Sequence, residues 1–433
     1  MAVPNNILVN VQTYQKAELA WLLNSFCGIK LANKKFKNFN DMTANLGDTV
    51  TFDLPPRYIG YNGLVITQQQ SAQRLQPLVC SQAQNIAAAY TDQQFIFNVK
   101  DYMERFGQAA MLELGSIIET DILKNIVSGV VINDPQNANF GLQQTNSGPY
   151  RFGGDGVTQI NSFGQLAQFV ANFKDFGAAK NKMFGILPEP NIPAIVSTGL
   201  QQFATNRNNT MANSWELGMF AGTEWYTSNL LPTHVSGDVG VNGTTLTLVS
   251  TNDPTGQNVT QLTFSGATAN DVNAIFAGDM AQFQDGVAGQ PNLRFLHFIG
   301  HSVSQQPVQF LITANAAASA GGNVTLSVYP PMVWAQNENQ NLNHTLQAGM
   351  QVKLLPSHRA GLLSSGDQFY MAMPQLPDQE PFSTVNTMDK ESGASIRHYW
   401  GVQFGMNNRS YVRDAIWGST MAQDNQFRIV FPM

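Results

Sequence analysis

Residues 101–130 read DYMERFGQAAMLELGSIIETDILKNIVSGV, and this stretch decides the fold. Its apolar positions are Tyr102, Met103, Phe106, Ala109, Ala110, Leu114, Ile117, Ile118, Ile122, Ile126 and Val130. Steps of three and four lay one continuous stripe along a helix. Asp101 can cap its start, Glu104 stands at the capping-box position, and Gly129 fits a C-terminal stop. At 1.5 Å per residue such a helix is about 40 Å long. A single long helix set among strands and loops is a building-block design, with no active-site geometry in it.

Upstream of the helix lies a different texture. Residues 1–46 read as a partly helical arm in which Leu19, Leu22, Leu23 and Phe26 share a face, followed by Lys30, Lys34, Lys35 and Lys37. From Gly47 to Leu54 the chain alternates, with Val50, Phe52 and Leu54 on one side, until Pro55 and Pro56 end the run. After Gly60-Tyr61-Asn62-Gly63 a second extended stretch runs from Leu64 through Gln68-Gln69-Gln70 to Val79. Together these predict a long hairpin too poor in apolar residues to form a core alone, so it must rest on something else.

Downstream, Phe95-Ile96-Phe97 predicts a short strand before the helix, and residues 133–160 read as loop. Phe163 to Phe176 has a helical stripe, Met183 to Leu187 reads as a buried strand, and Ile192 to Phe203 as a helix behind Pro188 and Pro190. Trp215 to Trp225 fits either state. Helical periodicity then fades from His234 to about Leu355. Short strands separated by Gly, Asn and Asp replace it: Leu246–Val249, Gln261–Phe264, Arg294–Ile299, Val308–Thr313 and Val324–Tyr329. Such spacing predicts an inserted small barrel or sandwich. Mixed strands follow at Gln368–Met373, Ile396–Val402 and Phe427–Phe431.

Composition narrows the function classes. Only 12% of the 433 residues are charged, about half the usual share, and asparagine and glutamine fill the gap. A neutral polar surface repels copies of itself weakly, which suits a protein that packs against its own kind. The net charge of −6 argues against a generic nucleic-acid binder. No run of 18 apolar residues predicts a membrane span, and Met1–Val11 carries no secretion-signal pattern. Cys27 and Cys80 are too few for a disulfide framework and read as small buried hydrophobes. Asn-x-Ser/Thr triplets begin at Asn208, Asn242, Asn258, Asn323, Asn343 and Asn408, about the number chance gives so Asn-rich a chain.

Catalytic and cofactor motifs are not legible in the chain. It lacks a phosphate loop, a dinucleotide fingerprint, a Gly-x-Ser-x-Gly elbow and paired CxxC. Gly153-Gly154-Asp155-Gly156 is turn chemistry. His297 and His301 fall within one expected strand, Phe295–Val303, with no third metal ligand nearby in sequence. His344 and His358 are expected in loops, and Asp389 with Glu391 reads as a solvated acidic turn. The lysines from Lys30 to Lys37 could attract a polyanion without sequence preference, but a solvated helix end explains them as well. Trp215, Phe220, Trp225 and Tyr226 point to core or subunit contact before a ligand pocket. No catalytic, cofactor-binding or metal-binding residue, and no cofactor, is therefore assigned.

The order of these parts resembles that of the major capsid proteins of tailed bacteriophages, the Hong Kong-type shell fold. More specifically, it is similar to the coat protein family of the Salmonella-type short-tailed phages (podoviruses), which carry an inserted β domain. Asn5–Lys35 resembles the arm, Gly47–Pro55 the start of the extended loop, and Asp101–Gly129 the spine helix. Gly278-Asp279-Met280 to Gly286-Val287 resembles a Gly-Asp motif of the insertion, and Val308–Val333, through Tyr329-Pro330-Pro331, the hairpin after it. Asn341–Leu355 resembles the way out of the inserted domain, and Tyr399-Trp400-Gly401-Val402 a late aromatic strand.

The resemblance implies an α+β phage capsid fold. Its parts are an N-terminal arm (1–46), an extended hairpin (47–80), a peripheral domain with the spine helix (81–132), an axial domain (133–234), an inserted β-barrel (235–355) and a return to the axial and peripheral domains (356–433). It further implies a non-enzymatic subunit that assembles into hexamers and pentamers of an icosahedral head around double-stranded DNA. Implied partners are the chain itself, a scaffolding protein, a portal protein, a possible decoration protein and DNA by non-specific contact, with no membrane. Implied location is the virion capsid, assembled in the bacterial cytoplasm. The alternatives are a secreted β-rich carbohydrate-binding protein or adhesin, and a hydrolase assembled from scattered acids.

Overall fold

The computed structural model describes residues 19, 22, 26–33, 49–54, 58, 74–91, 107–128, 131–132, 144–145, 148–175, 182–199, 218–297, 300–337, 339–365, 369–378, 382–388, 394–402, 408–421 and 425–433. The chain divides into two compact units. One takes in residues 1–50, 77–123 and 369–420; the other takes in 51–76, 124–368 and 421–433.

In the first unit the expected long helix is present from Gln108 to Lys124. Its buried face differs from the apolar stripe. Met111, Leu114, Gly115, Ile118, Glu119, Ile122 and Leu123 are buried, whereas Ala109 is exposed and Ile117 half-buried. Residues 101–106 and Gly129, which carry the expected caps, lie outside the described residues. A five-stranded sheet accompanies the helix. Phe369–Ala372, Asn408–Met421, Ser395–Val402 and Ser383–Met388 follow one another across it, and Gln82–Thr91 pairs with Asn408–Met421. Trp417 on the sheet donates its indole N–H to Asp121 of the helix at 2.9 Å.

The arm is pinned to the helix by one carboxylate. Cys27–Leu31 forms a short helix whose N-cap, Phe26, has no acceptor for the open amides of the first turn. Glu119, only 1% exposed, supplies that acceptor from the long helix. It accepts from Gly28 N–H at 2.7 Å and Ile29 N–H at 2.9 Å, and the Cys27 thiol donates to it at 3.3 Å. Two glycines make room: a Cβ at Gly28 would fall 2.7 Å from Glu119 Oε2, and one at Gly115 would fall 2.2 Å from the Phe26 ring. Past the short helix, Asn33 bonds backbone to backbone with Phe369 (2.7 Å) and Met371 (3.1 Å). Neither Cys27 nor Cys80 forms a disulfide, and Cys80 is buried.

Thr49–Leu54 and Arg74–Val79 form a two-stranded sheet that joins no other sheet among the described residues. The residues that connect them lie outside the described set, apart from the exposed Tyr58. The strand expected at Phe95–Phe97 is likewise outside it.

The second unit holds a seven-stranded mixed sheet and a closed barrel. In the sheet, Phe152–Gly153, Gln426–Phe431, His358–Ser365, Met183–Pro188, Thr223–Ser228 and Gly218–Phe220 lie in that order, with Thr233–His234 paired to His358–Ser365. Trp215–Trp225 thus contributes strands where it is described. Phe163–Asp175 and Ile192–Gly199 are helices as expected. Leu166, Val170, Phe173, Ile195 and Val196 form one core with Met183, Trp225, Leu363, Phe427 and Ile429. Gly185 is required there, because a Cβ would fall 2.3 Å from the Trp225 ring.

The barrel closes in the order Thr245–Thr251, Val259–Ser265, Asn323–Met332, Gln309–Ile312, Met280–Phe283 and Gln351–Leu354. Alternate residues such as Leu246 and Leu248, Leu262 and Phe264, or Val324, Leu326 and Val328 fill its interior. Arg294–Ile299 is not one of its staves. Arg294–Leu296 pairs instead with Val303–Pro307 in a separate two-stranded sheet. The chain reverses between them through Gly300 and His301, both with positive φ, so Phe295–Val303 is a turn-containing hairpin and no continuous strand.

Glu119 tests the first unit directly. A Gln at this position keeps one acceptor and turns an N–H pair toward backbone N–H groups, so Glu119→Gln should lower unfolding free energy by about 1–3 kcal/mol. Denaturant titration of the full chain measures it; an unchanged midpoint would mean the arm is held by other contacts.

Candidate functional site

The densest polar chemistry in the second unit sits where the chain passes into the barrel and returns from it. Thr233 and His234 pair with Arg359 and His358, bringing the incoming and returning connections side by side. Asp279, wholly buried, closes over them from the start of a barrel strand. Its Oδ1 lies 2.7 Å from His234 Nε2 and accepts the Ser236 hydroxyl at 2.9 Å. Its Oδ2 accepts Phe276 N–H at 2.8 Å and Gly237 N–H at 3.2 Å. Ser236 also donates to the Leu355 carbonyl at 2.8 Å, and its own N–H donates to Ser357 Oγ at 3.0 Å. The carboxylate thus holds His234, Ser236, Gly237 and Phe276, and Ser236 carries the link on to Leu355 and Ser357, up to 121 residues away.

Arg428 joins this cluster from the terminal strand of the sheet. It is fully buried and donates to the Gly278 carbonyl at 3.2 Å. Burial pulls its pKa down to about 9, with Asp279 opposing the fall, so it stays cationic at neutral pH. His358, expected in a loop, instead begins the strand His358–Ser365 and is fully buried. Its ring is 5.4 Å from that of His234, and Nδ1 lies 2.8 Å from the Pro356 carbonyl. Burial first, then the Arg428 charge, lowers its pKa to about 3, so it is neutral. With Nδ1 donating to Pro356, Nε2 carries the lone pair, and it has no hydrogen-bond partner among the described residues.

Serine, histidine and aspartate stand together here, but in the wrong order for nucleophilic catalysis. The Ser236 hydroxyl has Asp279 and the Leu355 carbonyl as the acceptors within reach of its one hydrogen, where a nucleophile needs a histidine base. All three side chains are under 9% exposed, so no substrate reaches them. The arrangement is a clasp that holds the barrel's two connections and the sheet in one piece. A second clasp reinforces it: Gln309 on the barrel accepts Phe152 N–H at 2.9 Å and donates to Phe152 C=O at 3.0 Å.

The other residues considered from sequence fall apart. His297 and His301 stand on opposite sides of a turn, and the carboxylate nearest His297 Nε2 is Asp175 at 3.8 Å. His344 is exposed. Asp389, Glu391, Lys34, Lys35, Lys37 and Trp215 lie outside the described residues, while Lys30 is exposed on the short helix. Trp225 belongs to the sheet core. Asp155 makes a local turn with Val157 and Thr158. The loop 252–258 is tightly knit, since Asp253 accepts from Thr255, Gln257 and Asn258, which holds its carboxyl down at about 2. Among the described residues no group of three or more His, Cys, Asp or Glu is placed to hold a metal ion. No described helix is long and apolar enough to cross a membrane.

Comparison with known proteins adds likeness only. No protein-family model and no curated protein matches the chain. Solved structures to which it is similar include one of Mycobacterium phage Che8 (7% identity, 93% of this chain and 90% of that one, TM-score 0.42). Another is the Cyanophage Pam1 capsid (8% identity, 93% and 88%, TM-score 0.42). A third is the capsid of Ralstonia phage GP4 (10% identity, 94% and 88%, TM-score 0.39). Likeness this slight assigns neither fold nor function.

The clasp makes stability depend on pH with a definite sign. Unfolded His358 takes a proton near pH 6.5, but in the fold only near 3. Between those values the unfolded chain holds the extra proton. The contribution of His358 is therefore whole above pH 6.5 and drains as pH falls toward 3, at up to about 1.4 kcal/mol per pH unit. His398 in the first unit, also driven to about 3 by burial and Arg413, adds the same trend there. Melting temperature should fall from pH 7 to pH 4, and less steeply in His358→Gln; equal slopes would contradict the assignment.

Proposed function

We propose that this chain is a non-enzymatic shell subunit, a major capsid protein of a tailed bacteriophage. The observation that carries this reading is the two-stranded sheet of Thr49–Leu54 and Arg74–Val79, which joins no other sheet among the described residues. Two strands alone are marginal in water, and their connecting sequence is rich in glutamine and short of apolar residues. Such an arm needs an outside surface, and a repeating assembly of the same chain provides one for every copy.

The remaining architecture fits that role. A long helix beside a sheet gives a stiff plate, and a closed barrel, carried on two clasped connections, adds an ordered module without adding sheet edges. A surface with few charges lets copies approach closely. In this reading the subunits form hexamers and pentamers of an icosahedral head that holds double-stranded DNA, and assemble in the bacterial cytoplasm. A scaffolding protein, a portal and a decoration protein are the partners such a head uses. The division into arm (1–46), hairpin (47–80), peripheral (81–132), axial (133–234), barrel (235–355) and return (356–433) segments belongs to the same proposal.

Deleting residues 61–76 separates folding from assembly. The shortened chain should keep the melting temperature of the full chain and lose the closed particles seen by negative-stain microscopy when the full chain is expressed with its scaffolding protein. A lowered melting temperature would place the hairpin in the subunit's own core, and unchanged particles would deny it a role between copies.

A further inference from the structure

Arg428 brings more donors into the clasp than the clasp has acceptors to meet. A guanidinium carries N–H groups on all three nitrogens and no acceptor, and this side chain is fully buried. Nη1 donates to the Gly278 carbonyl, while Nε and Nη2 have no hydrogen-bond partner among the described residues. Those two nitrogens form one edge of the guanidinium, and their N–H bonds point the same way, as in the fork that grips a carboxylate. The acceptors nearby are engaged. Each oxygen of Asp279 already takes two donors, His234 and Ser236 on one side, Gly237 and Phe276 on the other. Ser236 holds the Leu355 carbonyl, and His358 holds that of Pro356.

His358 presents the complement. Its Nδ1 is committed to Pro356, so Nε2 offers a lone pair, buried and likewise without a partner among the described residues. Both groups face the same place. Arg428 stands opposite Leu362 in antiparallel register, and His358 lies on the same face of that strand as Leu362. A Cβ at Gly278, whose carbonyl takes Nη1, would fall 3.1 Å from the His234 ring, and that ring is 5.4 Å from the ring of His358. The Arg428 charge is, after burial, the largest influence on the His358 imidazole.

We propose that a buried water molecule bridges the Nε/Nη2 edge of Arg428 to Nε2 of His358. Its oxygen accepts from the guanidinium edge and one of its hydrogens goes to the imidazole, about three bonds in all, as internal waters typically make. An anion would satisfy the guanidinium but would set its charge against the imidazole lone pair. Only a molecule that accepts and donates at once fits all three atoms. The bridge completes the clasp, because Asp279 holds the incoming connection alone. Through the water, the returning strand at His358 joins the network that runs from Gly278 to Arg428. This site belongs to the folded subunit and is independent of what the chain assembles into.

A map of the full chain at a resolution that shows ordered solvent tests this on the unaltered protein. Density for one water should lie about 2.7–3.2 Å from the Arg428 edge and from His358 Nε2. An empty position, or the Arg428 edge bonded to a protein oxygen, overturns the proposal. So does anomalous density at that point in crystals grown with bromide, which would mark an anion. In solution, oxygen-17 relaxation dispersion counts the waters that stay bound longer than the protein takes to tumble. Arg428→Met keeps the length of the side chain and removes its donors, so it should hold one such water fewer than the parent chain. An equal count in a variant with unchanged circular dichroism overturns the bridge as well. Should Arg428→Met fail to fold, the map decides alone.

Discussion

In each unit a buried carboxylate holds together pieces of chain that sequence keeps far apart. Glu119 takes the first-turn amides of the short helix at Cys27–Leu31, and Asp279 takes Gly237 and Phe276 amides with the Ser236 hydroxyl and His234. Removing a charge from water is expensive, and several short hydrogen bonds to the charged form are what offset it. In return the geometry is specific, because only one placement of the backbone fills both carboxylate oxygens. A chain with only 12% charged residues has few such groups, and it places two of them where distant segments must meet.

The consequence for the barrel is mechanical. An inserted module joined by two loose connections swings, whereas here the incoming and returning connections are paired at His234 and His358, and Asp279 holds the incoming one through His234, Ser236 and Gly237. Arg428 carries the tie into the terminal strand, and Gln309 repeats it at Phe152. Tyr150, Phe152 and Val430 share a core with the barrel interior, so the polar clasp and the apolar contact act together.

Much of this was legible from residue spacing, and what was missed has physical causes. The helix at Gln108–Lys124 and the strands around Leu246, Phe264 and Val324 showed themselves by period, since burial on one face leaves that trace. Glu119 broke the stripe it belongs to, because a buried charge reads as a solvent position until its partners are known. Gln82–Thr91 carried no strand signal at all; its ten pairs with Asn408–Trp417 impose the conformation from outside. His358 reads as a loop residue from sequence, yet it starts the strand His358–Ser365, in which every residue but Arg359 is buried. Asp279 stood out only within the Gly-Asp resemblance, for nothing in its neighbourhood announces partners at Gly237 and Ser236.

The central claim is that the hairpin of Thr49–Leu54 and Arg74–Val79 finds its support on another copy. Amide hydrogen exchange of the dilute chain and of its assembled form measures this most directly. The account predicts that hairpin amides exchange rapidly in the dilute chain and become protected on assembly, while the Gly237 and Phe276 amides on Asp279 stay slow in both. Protected hairpin amides in the dilute chain would contradict it.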